Sequence, residues 1–218
     1  MAIEAVIFDM DGLLIDSESL WREGEAIELR AVGVPITTED GRLTMGLRCD
    51  EVVEYWHARY PWSSPTKKEV EANIDRRVLD LVRERGAPMP GAIETVQMLA
   101  EAGYPLGLAS SSTSELIGQV VDQLGVRPYL RVLQSAEHEP YGKPHPAVYI
   151  EAARRLDVPP DRCLAIEDSP AGLLAAKAAR MSCLVVPAPE MRADRRYCIA
   201  DTQLDSLADF RLELLEGL

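Results

Sequence analysis

The sequence is poor in the residues that build thiolate and imidazole sites. Its four cysteines, Cys49, Cys163, Cys183 and Cys198, show no paired zinc or redox spacing and read as reduced thiols. Its three histidines, His57, His138 and His145, include no i, i+4 pair, which argues against a histidine-based zinc site. No run approaches the ~20 apolar residues of a membrane span. The opening Met-Ala-Ile-Glu-Ala-Val lacks the basic stretch and long apolar core of a secretory signal, so a cytoplasmic location is expected. Positive charge is also scarce: 23 Lys and Arg face 36 Asp and Glu, a net charge of −13. That balance excludes nucleic acid and anionic membrane as expected partners. It would also repel an anionic substrate at long range, although salt screens this beyond roughly 8 Å. Any anionic substrate must therefore be held by local cations. Nothing in the sequence demands an oligomer, and a monomer is expected.

What is present is an ordinary globular composition, with enough apolar residues in 218 for one large domain or two modest ones. Strand-like runs recur at Ala5 to Phe8, Leu106 to Ala109, Val132 to Leu133, Leu164 to Ile166 and Cys183 to Val186. Amphipathic helical segments separate the last four, and strands alternating with helices predict a parallel sheet. Ile93, Val96 and Leu99 line one such helix, and Val148, Ala152 and Leu156 another. Pro170 opens a third, made of small residues. From Ser17 to Gly86 the rhythm breaks. The pattern there is helical, with Val70, Ile74, Val78 and Leu81 as a clear stripe and Thr66 as an N-cap. Some seventy residues exceed a normal crossover. The expected fold is therefore α/β: a Rossmann-like parallel sheet core over 1–16 and 87–218, with a small α-helical cap domain inserted over 17–86.

Ligands in open parallel sheets bind beyond the carboxyl ends of the strands. The first strand there offers Asp9-Met10-Asp11-Gly12, the second Ser110-Ser111-Ser112-Thr113, the third Tyr141-Gly142-Lys143-Pro144 and the fourth Glu167-Asp168-Ser169. Each has an ordinary reading alone: a turn, a helix N-cap, a surface lysine, a complement to a helix dipole. Four such clusters after four strands, on one edge and chemically complementary, point instead to a phosphoryl site. Acidic groups from the first and fourth strands would hold a hard divalent cation such as Mg2+. The serines, Ser110 first and Ser111 beside it, could donate to phosphate oxygens. Lys143 could neutralise charge on the phosphate and on Asp9, and Asp9 could attack phosphorus.

These residues closely resemble the four motifs of the haloacid dehalogenase-like phosphohydrolases. The insertion after the first motif is similar to that of the subfamily with a small helical cap, which includes β-phosphoglucomutase and sugar-phosphate phosphatases. The stretches Asp9 to Glu18, Met45-Gly46-Leu47-Arg48, Gly107 to Ser110, Lys143 to Pro146, Glu167-Asp168-Ser169 and Val185 to Glu190 are especially similar to a group of bacterial phosphatases acting on hexitol phosphates and 2-deoxyglucose-6-phosphate. The resemblance implies that Asp9 is the nucleophile and forms an aspartyl-phosphate. Asp11 would protonate the leaving sugar oxygen and then activate water. Ser110 and Lys143 would bind phosphate. The Asp9 carboxylate, the Asp11 backbone carbonyl and Asp168 would bind Mg2+, with Glu167 a direct ligand or the partner of one. Asp16 and Ser17 would form the hinge to the cap.

Asp11 argues against the dehalogenase and phosphonate-hydrolase activities of that family, which lack a second motif-one acid. The serious rival is the mutase, which must hold a second phosphate with cationic cap groups. Where the mutase has a cap histidine, this chain has Trp21. Where it has an arginine, a gapless match gives Cys49, with Arg48 one place early. No clear lysine match falls around Asn73 to Arg77. A phosphatase acting on a small phosphorylated sugar or polyol is expected, with Trp21, Met45, Gly46 and Arg48 as cap residues facing the substrate. A non-catalytic phospho-acceptor of the receiver type is the alternative from another class. Such domains are shorter, uncapped, and carry the acceptor on a later strand.

Overall fold

The structure, a computed structural model, describes residues 2–37, 39–44 and 46–217. Its strands are β1 (Ala5–Phe8), β2 (Leu106–Ser110), β3 (Leu130–Ser135), β4 (Cys163–Glu167), β5 (Ser182–Val185) and β6 (Thr202–Gln203). They form one sheet in the order β3-β2-β1-β4-β5-β6, with every pair parallel. The chain runs outward from β1 to β3 on one side and from β4 to β6 on the other. The crevice at the carboxyl ends of β1 and β4 is therefore the topological switch point where such sheets bind ligands.

Alternation along the central strands builds two cores. Val6 and Phe8 of β1, with Leu164 and Ile166 of β4, face one side; Ala5 and Ile7, with Cys163 and Ala165, face the other. All four residues of β1 are fully buried, which is why it reads as an unbroken apolar run. Helices α4 (Ala92–Glu101) and α5 (Ser114–Gln123) cover the first face; α6 (Ala147–Leu156) and α7 (Pro170–Ala178) cover the second. The expected Rossmann-like α/β architecture is the one found. The sixth strand, two residues long, had no sequence pattern to announce it.

Between β1 and α4 lie α1 (Glu18–Ala31), a short 3-10 turn (Asp40–Leu43), α2 (Cys49–Arg59) and α3 (Lys67–Arg85). Thr66 caps α3 through a reciprocal pairing with Glu69. The buried stripe of α3 is Val70, Ile74, Val78 and Val82, so Val82 takes the place expected for Leu81, which is only half-buried. The helix keeps an i, i+4 step to its end and packs on α1, α2 and α5. The two chain connections to this helical segment run side by side. Asp16 N donates to Ala87 O at 2.8 Å and Met89 N to Leu14 O at 3.0 Å.

Candidate active site

The end of β1 places Asp9 in the crevice. The loop after β3 brings Lys143 back to it, with Nζ donating to Asp9 Oδ1 at 2.6 Å and to Glu167 Oε1 at 2.7 Å. The same ammonium donates to Ala109 O at 3.0 Å and to the Tyr149 hydroxyl at 3.3 Å. It is 2% exposed, so these partners replace its water. Burial alone would lower the Lys143 pKa; the charges of Asp9 and Glu167 override it and hold the ammonium above the ordinary lysine range. For Asp9, burial pushes the carboxyl up, Lys143 opposes, and Glu167 and Asp11 add to the rise.

Glu167 is an anchor. Its Oε1 accepts from Lys143 and from Tyr149 at 2.7 Å; its Oε2 accepts from Asp168 N, Ser169 N and Ser169 Oγ at 3.0 to 3.1 Å. Both oxygens are thus engaged inside the protein. Asp168 differs: no donor among the described residues reaches its carboxylate. Burial, then Glu167, Asp9 and Glu18, drive its pKa well above the usual range. Two glycines make room for this acidic pair. A Cβ on Gly12, whose φ is +75°, would lie 2.3 Å from Asp168 Oδ2, and one on Gly172 would lie 1.7 Å from Glu167 Oε1.

Asp11 stands just beyond, bound from two sides. Its Oδ1 accepts from Ser17 Oγ at 2.6 Å and from Trp21 Nε1 at 2.9 Å; its Oδ2 accepts from Ser112 Oγ at 2.6 Å and weakly from Ser110 Oγ at 3.4 Å. The helical segment and the core both hold this carboxylate.

Asp9, Asp11, Ser110, Ser111, Lys143, Asp168, Trp21 and Gly46 all line one cavity of about 60 Å³. Ser111 Oγ approaches Gly46 O across it at 3.4 Å. Arg48 is placed differently from its expected position facing the substrate. Its Nε and Nη2 pair with Asp50, and its Nη1 donates to Ala136 O at 2.8 Å and Glu139 O at 2.7 Å. A guanidinium this fully committed ties α2 to the loop after β3 and does not line the cavity. Of the remaining expected residues, Ser17 is buried on Asp11, Asp16 lies in the paired connections, and Met45 lies outside the described residues. Sequence reasoning missed Tyr149, Ser112 and Glu25. Tyr149 sits on the buried face of α6 beside Val148, Ala152 and Leu156, where no sequence pattern singles out its hydroxyl. Ser112 is one of five consecutive hydroxyl residues, Ser110 to Ser114. Glu25 is one of many charged residues along α1, and nothing in the sequence separates it from the rest.

Asp9, Glu167 and Asp168 each offer one carboxylate oxygen, and these lie within 4.8 Å of one another. An all-oxygen, buried donor set of this kind suits a hard divalent cation. Oδ2 of Asp9 and the carboxylate of Asp168, which no donor among the described residues reaches, are the groups suited to hold one.

A family model described as haloacid dehalogenase-like hydrolase matches residues 3–180. The chain belongs to that family. This hydrolase is 44% identical to hexitol phosphatase B of Escherichia coli, over 99% of its own length and 97% of the relative's. It is 30% identical to the phosphorylated carbohydrates phosphatase of Thermotoga maritima, over 81% and 82% of the two chains. It superposes on the crystal structure of CbbY from Rhodobacter sphaeroides in complex with phosphate at a TM-score of 0.87, with 29% identity and coverage of 98% and 99%. The haloacid dehalogenase-like hydrolase described here is accordingly an enzyme, a phosphatase cleaving phosphoric monoesters.

Proposed function

We propose that the protein is a Mg2+-dependent phosphatase of small sugar or polyol phosphates, working through an aspartyl-phosphate on Asp9. The observation that carries this is the meeting of Asp9, Lys143 and Asp168 at the switch point, with Asp11 poised beside them. The hexitol and carbohydrate phosphatases among its relatives support the substrate class. Asp9 and Asp168 would hold the ion, with the Asp11 carbonyl as a third ligand and Glu167 keeping Asp168 and Lys143 in place. When bound, Mg2+ supplies positive charge for the phosphoryl oxygens and for the clustered carboxylates.

The protein's own residues then account for the chemistry. Ser110, Ser111 and Lys143 bind the phosphoryl oxygens. The open Asp9 oxygen attacks phosphorus, the P–O bond to the sugar breaks, and Asp11 gives its proton to the leaving oxygen. In the second half water attacks phosphorus, its proton passes to Asp11, and the Asp9–phosphorus bond breaks to release phosphate. The hydrogen bonds from Ser17, Trp21 and Ser112 fix Asp11 where both proton transfers take place. Residues 17–86 act as a cap hinged at Asp16 and Ser17, closing over the cavity to exclude bulk water.

Hydrolysis is favoured over mutase chemistry because the mutase needs cap cations for a second phosphate. Here Arg48 is committed to Asp50 and to the backbone, Trp21 to Asp11, and the charge of Arg22 is shared between Glu18 and Glu25. The test is phosphate release across a panel of sugar and hexitol phosphates, with glucose-1-phosphate isomerisation assayed alongside. Turnover should require Mg2+, stop with EDTA and be abolished by Asp9→Asn. Near-normal rates in that variant would remove Asp9 as nucleophile.

A further inference from the structure

Helix α1 lays Glu18, Trp21, Arg22 and Glu25 along the cavity that holds Asp9 and Lys143. Their spacing of three and four residues keeps them on one helical face. Trp21 is occupied by Asp11, but Glu25 has no such task. It is 7% exposed, and its Oε2 is sealed from solvent with no hydrogen-bond partner among the described residues. A buried acceptor left unmatched costs free energy in every molecule of folded protein, so it calls for an explanation. Neither the nucleophile, the proton donor nor the acidic triad uses it. It lies on the helical segment, where the non-reacting part of a substrate would sit once its phosphate is held at the strand ends.

The surrounding chemistry restricts what could satisfy Glu25. Among the described residues, the other cap-side residues on this wall, Gly41, Thr44, Gly46, Leu47 and Cys49, bring no cation, and Arg22 is shared with Glu18. An ionised phosphate carries acceptors only and would meet two carboxyls against one guanidinium. A hydroxyl group offers the donor that the orphaned oxygen lacks.

Resting on the phosphatase reading above, we propose that Glu25 determines the leaving-group specificity of this enzyme by hydrogen-bonding the hydroxyls of a polyol or sugar monophosphate. Its environment agrees with this. Burial, with Glu18 adding and Arg22 opposing, pushes the Glu25 carboxyl up to about 8, as for an acid without compensating donors. A site built to hydrogen-bond a hydroxyl discriminates strongly against an analogue lacking it, because its buried group is then left unpaired.

The test uses the full chain with Mg2+ and two esters: sorbitol-6-phosphate, and p-nitrophenyl phosphate, whose leaving group carries no aliphatic hydroxyls. Values of kcat/KM are measured for wild type, Glu25→Gln and Glu25→Leu, and the polyol-to-aryl ratio is compared. That ratio does not depend on the fraction of protein folded, and Gln keeps the shape should Leu perturb packing. In Glu25→Leu the ratio should fall about ten-fold or more, the size of a lost hydrogen bond that leaves the substrate hydroxyl buried and unpaired, mainly through KM for the polyol ester. Glu25→Gln should fall less, with aryl hydrolysis within about two-fold of wild type in both variants. An unchanged ratio, or an equal loss on both esters, would show a merely structural carboxyl and overturn the inference. Wild type that cleaves the aryl ester but no polyol or sugar ester would overturn this inference alone. No cleavage of either would overturn the phosphatase reading and this inference with it.

Discussion

A lysine ammonium buried between two carboxylates and a tyrosine hydroxyl is tolerable only because every one of its protons finds an acceptor. Lys143 is the local cation that a chain of net charge −13 needs if it is to receive a phosphate. Glu25 is the reverse case, a buried carboxyl with an oxygen that no donor among the described residues reaches, and the cost of ionising it there is measurable. Its carboxyl lies at 4.5 when unperturbed and at about 8 in the folded protein. Below about pH 4.5 the group is protonated in both states and costs nothing extra. As pH rises towards 8 the unfolded chain releases the proton while the folded one retains it, so stability drains away across that window. Glu25→Gln does not titrate. Wild type should therefore lose roughly a few kcal/mol relative to Glu25→Gln between pH 5 and pH 8, read from urea unfolding of both proteins. Parallel stability curves would contradict the buried placement of this carboxyl. At this scale the sequence displayed Asp9, Asp11, Lys143 and Asp168, because each follows a strand and stands out as polar against an apolar run. It did not display Tyr149, whose hydroxyl does polar work from the apolar face of a helix, or Glu25, whose burial depends on what covers α1.

The element that matters most for the acidic pair is the turn from β4 into α7. Ser169 caps the helix by accepting from Gly172 N at 3.0 Å, Pro170 starts it, and Gly172 leaves the space that Glu167 fills. Helix propensity alone makes Gly→Ala inside a helix favourable by about 1 kcal/mol. At Gly172 the sign should reverse, since the new methyl would overlap the Glu167 carboxylate and scatter the bonds from Lys143, Tyr149 and Ser169. Gly118 in α5 is the control, because a Cβ there meets only Arg127 Nη2, at 3.4 Å. Gly172→Ala should cost about 2 kcal/mol or more in urea unfolding and lower phosphate release by at least about ten-fold, while Gly118→Ala should be neutral or stabilising. If both variants behave alike, the Glu167 anchor has been misread. Elements were legible where pattern and punctuation coincided, as in β1 with its glycine turn or α3 behind its Thr66 cap. They were not legible where two residues suffice, as in β6, or where either of two adjacent apolar residues, Leu81 and Val82, could continue a stripe.

At the scale of the whole molecule, the proposed cap must open. A cavity of about 60 Å³ has room for water but falls well short of the ~300 Å³ at the lower end of ligand pockets. The placement of the polar contacts suggests what holds it shut. Arg48 donates to the backbone of Ala136 and Glu139, and Glu51 Oε1 accepts from Gly142 N at 3.1 Å. Both residues stand at the start of α2, and all three partners lie in the loop that carries Lys143. The paired connections at Asp16–Ala87 and Leu14–Met89 form the opposite attachment, so a rotation there would part α2 from that loop while leaving β1 and β4 undisturbed. Closure would then bring Trp21 and Ser17 onto Asp11 and complete the acid/base, as in the shut arrangement described here. Removing the latch with Arg48→Ala and Glu51→Ala together should shift the ligand-free protein towards the open form. Small-angle scattering should show a larger radius of gyration than wild type, returning towards the wild-type value with Mg2+ and aluminium fluoride as phosphate mimic. KM should rise several-fold, because part of the binding free energy is then spent on closing the cap. Superimposable scattering for both proteins, with and without the mimic, would mean that the helical segment is a fixed wall and that substrate enters by another route.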